Sequence, residues 1–169
     1  MFERSTVSAS RLLVVATGLT VSAVAAVPAI ASTEFQGGGF VTNFTGCDAQ
    51  GWSGVVRVVS RMQPAGLPEN DPTITHLSIV YGTGIHIIDF AGPPSLDWAP
   101  VDMWSTWTSV SEYLDGEVAA RMLPGSTLSI DTTTQQIVLN AEIDGFSGLP
   151  GCSALVVVVL NKDARTPSE

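Results

Sequence analysis

Positive charge is scarce in this chain. Its 169 residues include 7 Lys and Arg against 16 Asp and Glu, which gives a formal net charge of −9. The sequence contains no run of basic residues. Because nucleic acids and anionic membrane surfaces attract cationic patches, this charge predicts that neither is a partner of the protein.

Sequence motifs of catalysis and cofactor binding are also missing. The chain has no Gly-x-Ser-x-Gly motif, Walker loop, calcium-binding loop or dinucleotide fingerprint. The paired carboxylates of a glycosidase are neighbours in space, and the sequence singles out no such pair among its acids. The sequence therefore predicts no catalytic residues and no cofactor.

The amino terminus lacks charge over a long stretch. Leu12 to Val27 is uncharged and mostly apolar, and Ala29-Ile30-Ala31 supplies the small-x-small pattern that signal peptidase recognises. We predict a signal peptide at residues 1–31, with an uncleaved membrane anchor as the alternative. The mature chain would then be exported to the periplasm or the extracellular space, with no membrane span after cleavage.

Only two cysteines are present, Cys47 and Cys152. An even number of cysteines in an exported chain is typical of disulfides, and a bond between these two would tie the first and last strands together. The alternative is a pair of free thiols. Neither residue has a second cysteine within four positions, so the spacing of a zinc site is absent.

Apolar residues recur at every second position through much of the chain, for example from Val55 to Met62 and from Ile137 to Ile143. This period is typical of strands with one wet face. Leu155 to Leu160 has no polar member, which predicts a strand covered on both faces. Turn-forming residues separate these runs, and we count Gly37-Gly38-Gly39 among them.

These patterns predict a single all-β domain at residues 32–162, followed by a flexible tail at 163–169. The expected architecture is an antiparallel β-sandwich with one disulfide, and a small closed β-barrel is the alternative. Residues 110–123 fit either a hairpin folded about Asp115-Gly116 or a helix.

A short internal similarity links Gly51-Trp52-Ser53-Gly54-Val55 with Gly145-Phe146-Ser147-Gly148-Leu149. The two segments lie near Cys47 and Cys152 respectively. If one disulfide joins their neighbourhoods, we expect the segments to lie side by side as paired aromatic turns. A five-residue match by chance is the alternative explanation.

Both histidines, His76 and His86, belong to a predicted hairpin that turns at Gly82-Thr83. If Tyr81 pairs with Gly84, the two imidazoles point to opposite faces of the sheet. A slip of one residue would place them on one face but about 13 Å apart. Since neither register lets them bind one ion, we predict no metal site.

The same register gives each histidine a role. His86 would lie opposite Ile79 in an apolar row, as a core histidine. His76 would lie opposite Asp89, and we interpret that pair as a surface contact between strands. The alternative interpretation is half of a catalytic dyad in a small exported hydrolase.

Three of the four tryptophans, Trp98, Trp104 and Trp107, lie within twelve residues together with Asp97 and Asp102. Indoles that stack on sugar rings beside carboxylates would make a carbohydrate site. The alternative is that Pro93 to Met103 forms a structured cover over one sheet opening, with indoles as hydrophobic plugs. One of Trp104 and Trp107 would then lie in the core, and Trp98 would lie on a loop. Of these two interpretations, we expect the structured cover rather than the carbohydrate site.

Function is the least determined property of this sequence. The leading hypothesis is an exported, non-enzymatic module that binds a ligand or a protein partner, or that serves a structural role. The first alternative is a carbohydrate-binding module using the Trp98–Trp107 stretch, with a glycan as the ligand. The second is the hydrolase that would use His76 and Asp89.

Overall fold

A computed structural model describes residues 32–82, 84–107 and 110–163. The side chains of Gln50, Trp107 and residues 110–117 lie outside this description. The predicted signal peptide at 1–31 and residues 164–169 of the predicted tail also lie outside the described residues. Within the described ranges, no helix has the length and apolar composition needed to cross a bilayer.

Nearly all regular structure in the described part is strand. The eight strands are β1 (Phe35–Thr45), β2 (Val56–Gln63), β3 (Ile74–Tyr81), β4 (Gly84–Ala91), β5 (Ala99–Trp107), β6 (Val110–Met122), β7 (Gln136–Asp144) and β8 (Ser153–Lys162). Two single-turn 3₁₀ helices, Asp48–Gln50 and Phe146–Gly148, follow β1 and β7.

The strands form one closed antiparallel barrel. Each strand pairs with its neighbours in the chain, and β8 pairs with β1 from Phe35 opposite Lys162 to Thr45 opposite Ser153. The all-β class, the antiparallel sheet and the disulfide are thus confirmed. Of the two predicted architectures the chain forms the barrel, since the β1–β8 pairing leaves no sheet edge.

The period-2 pattern separates an interior from an outer wall, as barrel closure requires. The interior is filled by buried side chains from all eight strands together with residues of the end loops. The largest fully buried side chains are Phe35, Met62, Leu77, Ile79, Ile88, Met103, Met122, Ile137, Leu139, Ile143, Phe146 and Leu160.

The predicted disulfide is present. Cys47 follows β1 and Cys152 precedes β8, and their Cα atoms are 4.7 Å apart. The bond closes the same pair of strands that closes the barrel. The segments of the short internal similarity lie side by side, because the rings of Trp52 and Phe146 pack edge to face with centroids 5.2 Å apart.

Two turn predictions were wrong. Gly37-Gly38-Gly39 lies inside β1, where a Cβ at Gly37 or Gly39 would collide with the backbone carbonyl of Val159 or Val157. These glycines therefore permit the close approach of β8 rather than a turn.

Residues 110–122 form neither the hairpin nor the helix, but one long strand. Val118 pairs with Val101 and Leu114 pairs with Met103, so β6 has two more residues than β5 between these pairs. The Asp115-Gly116 dipeptide lies in this irregularity. A bulge in a strand absorbs the turn-forming residues there.

Candidate functional site

The structure separates the residues of the tryptophan-rich stretch. Asp97 and Trp98 lie in the connection before β5, whereas Asp102 and Trp104 lie on the β5 strand itself. Six residues of extended chain span about 20 Å, so Trp98 and Trp104 do not share one platform. The Trp107 side chain lies outside the described part of the structure.

The expected cover was wrong for Ala99–Trp107, because β5 is a wall strand paired on both sides. The two described indoles of the stretch, Trp98 and Trp104, do not act as plugs either, since each is 45% exposed. Trp52, in the loop after the first 3₁₀ helix, is buried. Trp98 does lie in irregular structure, as its position before Pro100 predicted.

Trp104 belongs to an apolar patch on the outer wall, which we call the β2–β5 face. Its members are each 39–60% exposed and are Val59, Val80, Ile85, Ile87 and Trp104. Strand register places them together, since Val80 lies opposite both Val59 and Ile85, and Ile87 lies opposite Trp104. Four consecutive strands thus present one contiguous apolar surface.

Charged residues border the β2–β5 face on two sides. Arg57 and Arg61 lie on β2 with their side chains exposed, and Arg61 forms a long ion pair with Glu34. Asp89 and Asp102 lie opposite each other on β4 and β5. The face therefore has an apolar centre, a basic margin and an acidic margin.

The predicted hairpin register is confirmed, with Tyr81 opposite Gly84 and His76 opposite Asp89. His76 Nδ1 lies 2.6 Å from Asp89 Oδ1, and both side chains are about one-third exposed. The residues opposite this pair on β2 and β5 are Gln63 and Asp102, neither of which carries a nucleophilic hydroxyl. The geometry is that of a contact between strands on the barrel surface.

His86 points the other way and is fully buried. Its Nε2 lies 3.0 Å from the Tyr81 hydroxyl and its Nδ1 lies 2.9 Å from Ser105 Oγ. A neutral imidazole donates through one nitrogen and accepts through the other, so both nitrogens are satisfied. Burial lowers the pKa of His86 to about 3, and burial also raises the pKa of Tyr81 to about 12.

Aromatic rings pack around the hydrogen-bonded group of Tyr81, His86 and Ser105. The Phe146 ring packs edge to face on His86 with centroids 4.9 Å apart, and Trp52 packs on Tyr81 at 5.0 Å. Ser105 resembles a nucleophile beside a base, yet its hydroxyl lies within the buried interior. Sequence reasoning identified His86 as a core residue but missed Ser105, because no short turn fixes the β4–β5 register.

A second group of polar residues surrounds Trp98. The Arg121 guanidinium lies 4.8 Å from the centre of the indole ring. Arg121 Nε and Nη2 both donate to Glu142 Oε2, at 2.9 and 2.6 Å. Glu142 in turn lines an open cavity of about 240 Å³ on the outer wall. Sequence reasoning included Trp98 but neither of its neighbours.

Asp97 lies at a different cavity, between the loop before β5 and the barrel interior. That cavity measures about 30 Å³ and is too small for an organic ligand. Among the described residues, no group of three His, Cys, Asp or Glu side chains could hold a metal ion. The strongest candidate surfaces are therefore the β2–β5 face and the cavity beside Glu142.

Comparisons with family models, with curated proteins and with solved structures found no match to this chain.

Proposed function

We propose that the chain is an exported, non-enzymatic binding module whose β2–β5 face contacts a protein partner. One observation carries the proposal: Val59, Val80, Ile85, Ile87 and Trp104 form a contiguous exposed apolar surface. Single exposed apolar residues are ordinary on protein surfaces, whereas contiguous patches mark interaction sites.

The chemistry of the patch favours a protein over a small molecule. Its members lie on the outer wall of a closed barrel, which offers a broad surface rather than a deep pocket. An exposed indole with aliphatic neighbours is typical of the centre of a protein interface, where Trp is enriched. A rim of charge then surrounds the apolar centre, as Arg61 and Asp102 do here.

Charge narrows the class of partner. The whole chain carries a net charge of −9, and Asp89 and Asp102 lie along one margin of the face. An acidic partner would be repelled at long range, while a basic one would be attracted. We therefore propose a partner with an apolar contact surface that carries basic residues.

Two features support export. The sequence predicts a signal peptide at residues 1–31, and the Cys47–Cys152 disulfide is compatible with an oxidising compartment. The hydrolase hypothesis receives no support from the surface geometry of His76 and Asp89. The hypothesis that the entire Trp98–Trp107 stretch forms one carbohydrate site is also unsupported, because the two described indoles, Trp98 and Trp104, lie apart.

Site-specific photocrosslinking in cultures of the producing cells tests this proposal. A photoreactive phenylalanine analogue replaces Val80 on the face, and the matched control replaces Val159, which is similarly exposed on β8 (39% and 41%). We expect a discrete crosslinked protein from position 80 that is absent from position 159. The product should disappear when Ile87→Glu is added. No product at position 80, or equal products at both positions, would overturn the proposal.

A further inference from the structure

The second surface lies on the far side of the barrel from the β2–β5 face. Register places Arg121 opposite Glu142, Glu142 opposite Leu155, and Leu155 opposite Thr42. With neighbouring strands about 4.8 Å apart, this row extends about 14 Å across β6, β7, β8 and β1. Trp98 lies at one end of the row, over Arg121.

A break in strand pairing produces a groove at the other end of the row. The β1–β8 register shifts between Thr42 and Thr45, and Asn43 has a positive φ of 54°. The cavity of about 240 Å³ lies at this break. Its lining residues are Asn43, Thr45, Leu123, Glu142, Ser153, Ala154 and Leu155. The adjacent Cys47–Cys152 bond fixes the chain immediately beyond both strands.

The groove combines an amide, two hydroxyls and a carboxylate with an apolar floor. Within the described part of the chain, the side chains of Asn43, Thr45 and Ser153 form no hydrogen bond to another residue. Their donors and acceptors are therefore available to a ligand. Glu142 differs, because Arg121 holds its carboxylate in a fixed position while one oxygen remains for a further contact.

We infer that this groove and Trp98 form a binding site for a short, neutral oligosaccharide. Sugar hydroxyls both donate and accept hydrogen bonds, which matches an amide, hydroxyl and carboxylate set. The apolar faces of sugar rings can stack on the exposed Trp98 indole, whose ring contacts the Arg121 guanidinium. A phosphorylated ligand fits less well, since the Glu142 carboxylate and the overall negative charge oppose an anion.

This site is independent of the proposed protein-binding face. Trp98 and Trp104 are equally exposed at 45%, yet Trp98 lies over Arg121 in the row that leads to the groove, whereas Trp104 belongs to the β2–β5 face. The two indoles therefore provide a matched pair of variants. A substitution of Trp98 tests the oligosaccharide site, and a substitution of Trp104 tests the β2–β5 face, so either proposal can fail without the other.

Binding to a printed array of neutral and acidic oligosaccharides, followed by calorimetry with any glycan bound, tests the inference. The intact folded chain should bind a subset of neutral glycans. Trp98→Ala and Asn43→Gly should each weaken binding at least tenfold with unchanged melting temperature, since glycine at position 43 removes the amide but accepts the positive φ. Trp104→Ala should not weaken binding. In NMR spectra, the indole N–H signal of Trp98 should shift on addition of the glycan. No bound glycan, or equal binding by wild type, Trp98→Ala and Asn43→Gly, would overturn the inference.

Discussion

Ser105 Oγ lies 2.9 Å from Nδ1 of His86, inside a barrel whose interior is otherwise mostly apolar. Removing that hydroxyl would leave a buried ring nitrogen without a partner. We expect Ser105→Ala to lower the free energy of unfolding by about 1–3 kcal/mol, measured by chemical denaturation. Ser78→Ala on the outer wall is the control and should change it little. An unchanged stability in Ser105→Ala would show that the hydrogen bond does not contribute.

The buried imidazole also predicts how stability depends on pH. Burial lowers the pKa of His86 from 6.5 to about 3, so the native state holds the neutral ring. The unfolded chain takes up a proton below pH 6.5, and stability therefore falls as pH falls from 6.5 toward 3. At pH 5 this group alone should cost about 2 kcal/mol relative to pH 8.

NMR titration of the His86 ring protons measures the pKa of this imidazole in the folded protein. The His86 signals should stay constant from pH 8 to pH 4.5 while the protein remains folded. A midpoint near 6.5 in the folded protein would contradict both the burial of the ring and its role in acid sensitivity.

The tryptophans with described side chains should divide by burial rather than by position in the sequence. Trp52 is buried against Tyr81 and Phe146, so Trp52→Ala should cost about 3–5 kcal/mol. Trp104→Ala should cost less than about 1 kcal/mol, because that ring lies on the surface. Thermal melting of the two variants checks this order. A lower melting temperature for Trp104→Ala than for Trp52→Ala would contradict the assigned core.

The disulfide should contribute strongly, because it closes a loop across 105 positions. The chain-entropy relation gives about 5 kcal/mol for a loop of that length. Denaturation with and without reductant measures the difference, and the Cys47→Ala/Cys152→Ala double variant should be insensitive to reductant. If reductant left the stability of the wild-type chain unchanged, the bond would not constrain the fold as described.

Two features of the sequence predicted the structure correctly. A two-residue turn fixes the register of its two strands, so the Tyr81–Gly84 pair placed His76 opposite Asp89 and His86 in the core. Cysteine number and position predicted the bond that ties β1 to β8. In each case a few neighbouring residues or one covalent constraint determine the geometry.

Long-range pairing was harder to predict. Closure requires β1 to meet β8 across the whole chain, and alternation of apolar residues is the same in a sandwich and in a barrel. The glycines of β1 were interpreted as a turn because their role depends on β8, which lies more than a hundred residues away. Asp115-Gly116 was misinterpreted for a similar reason, since pairing with β5 outweighs its turn preference.

The candidate surfaces were missed because apolar character does not by itself reveal burial. Leu155 to Leu160 was expected to be covered on both faces, yet Val159 is exposed on the outer wall. Val80 and Ile87 are apolar residues that are likewise exposed on the outer wall. Only strand register shows that exposed residues from β2, β3, β4 and β5 are contiguous, and no short motif encodes that arrangement.

We propose that the β2–β5 face binds a protein partner. The most direct test compares Val80→Glu with Val159→Glu, two identical substitutions at similarly exposed positions on different strands. Calorimetric titration with the partner identified by crosslinking at position 80 measures the affinity of each variant. We predict that Val80→Glu raises the dissociation constant at least tenfold, about 1.4 kcal/mol, because it places a charge in an apolar contact. Val159→Glu should bind like the wild type. Equal affinities for the two variants would contradict the claim.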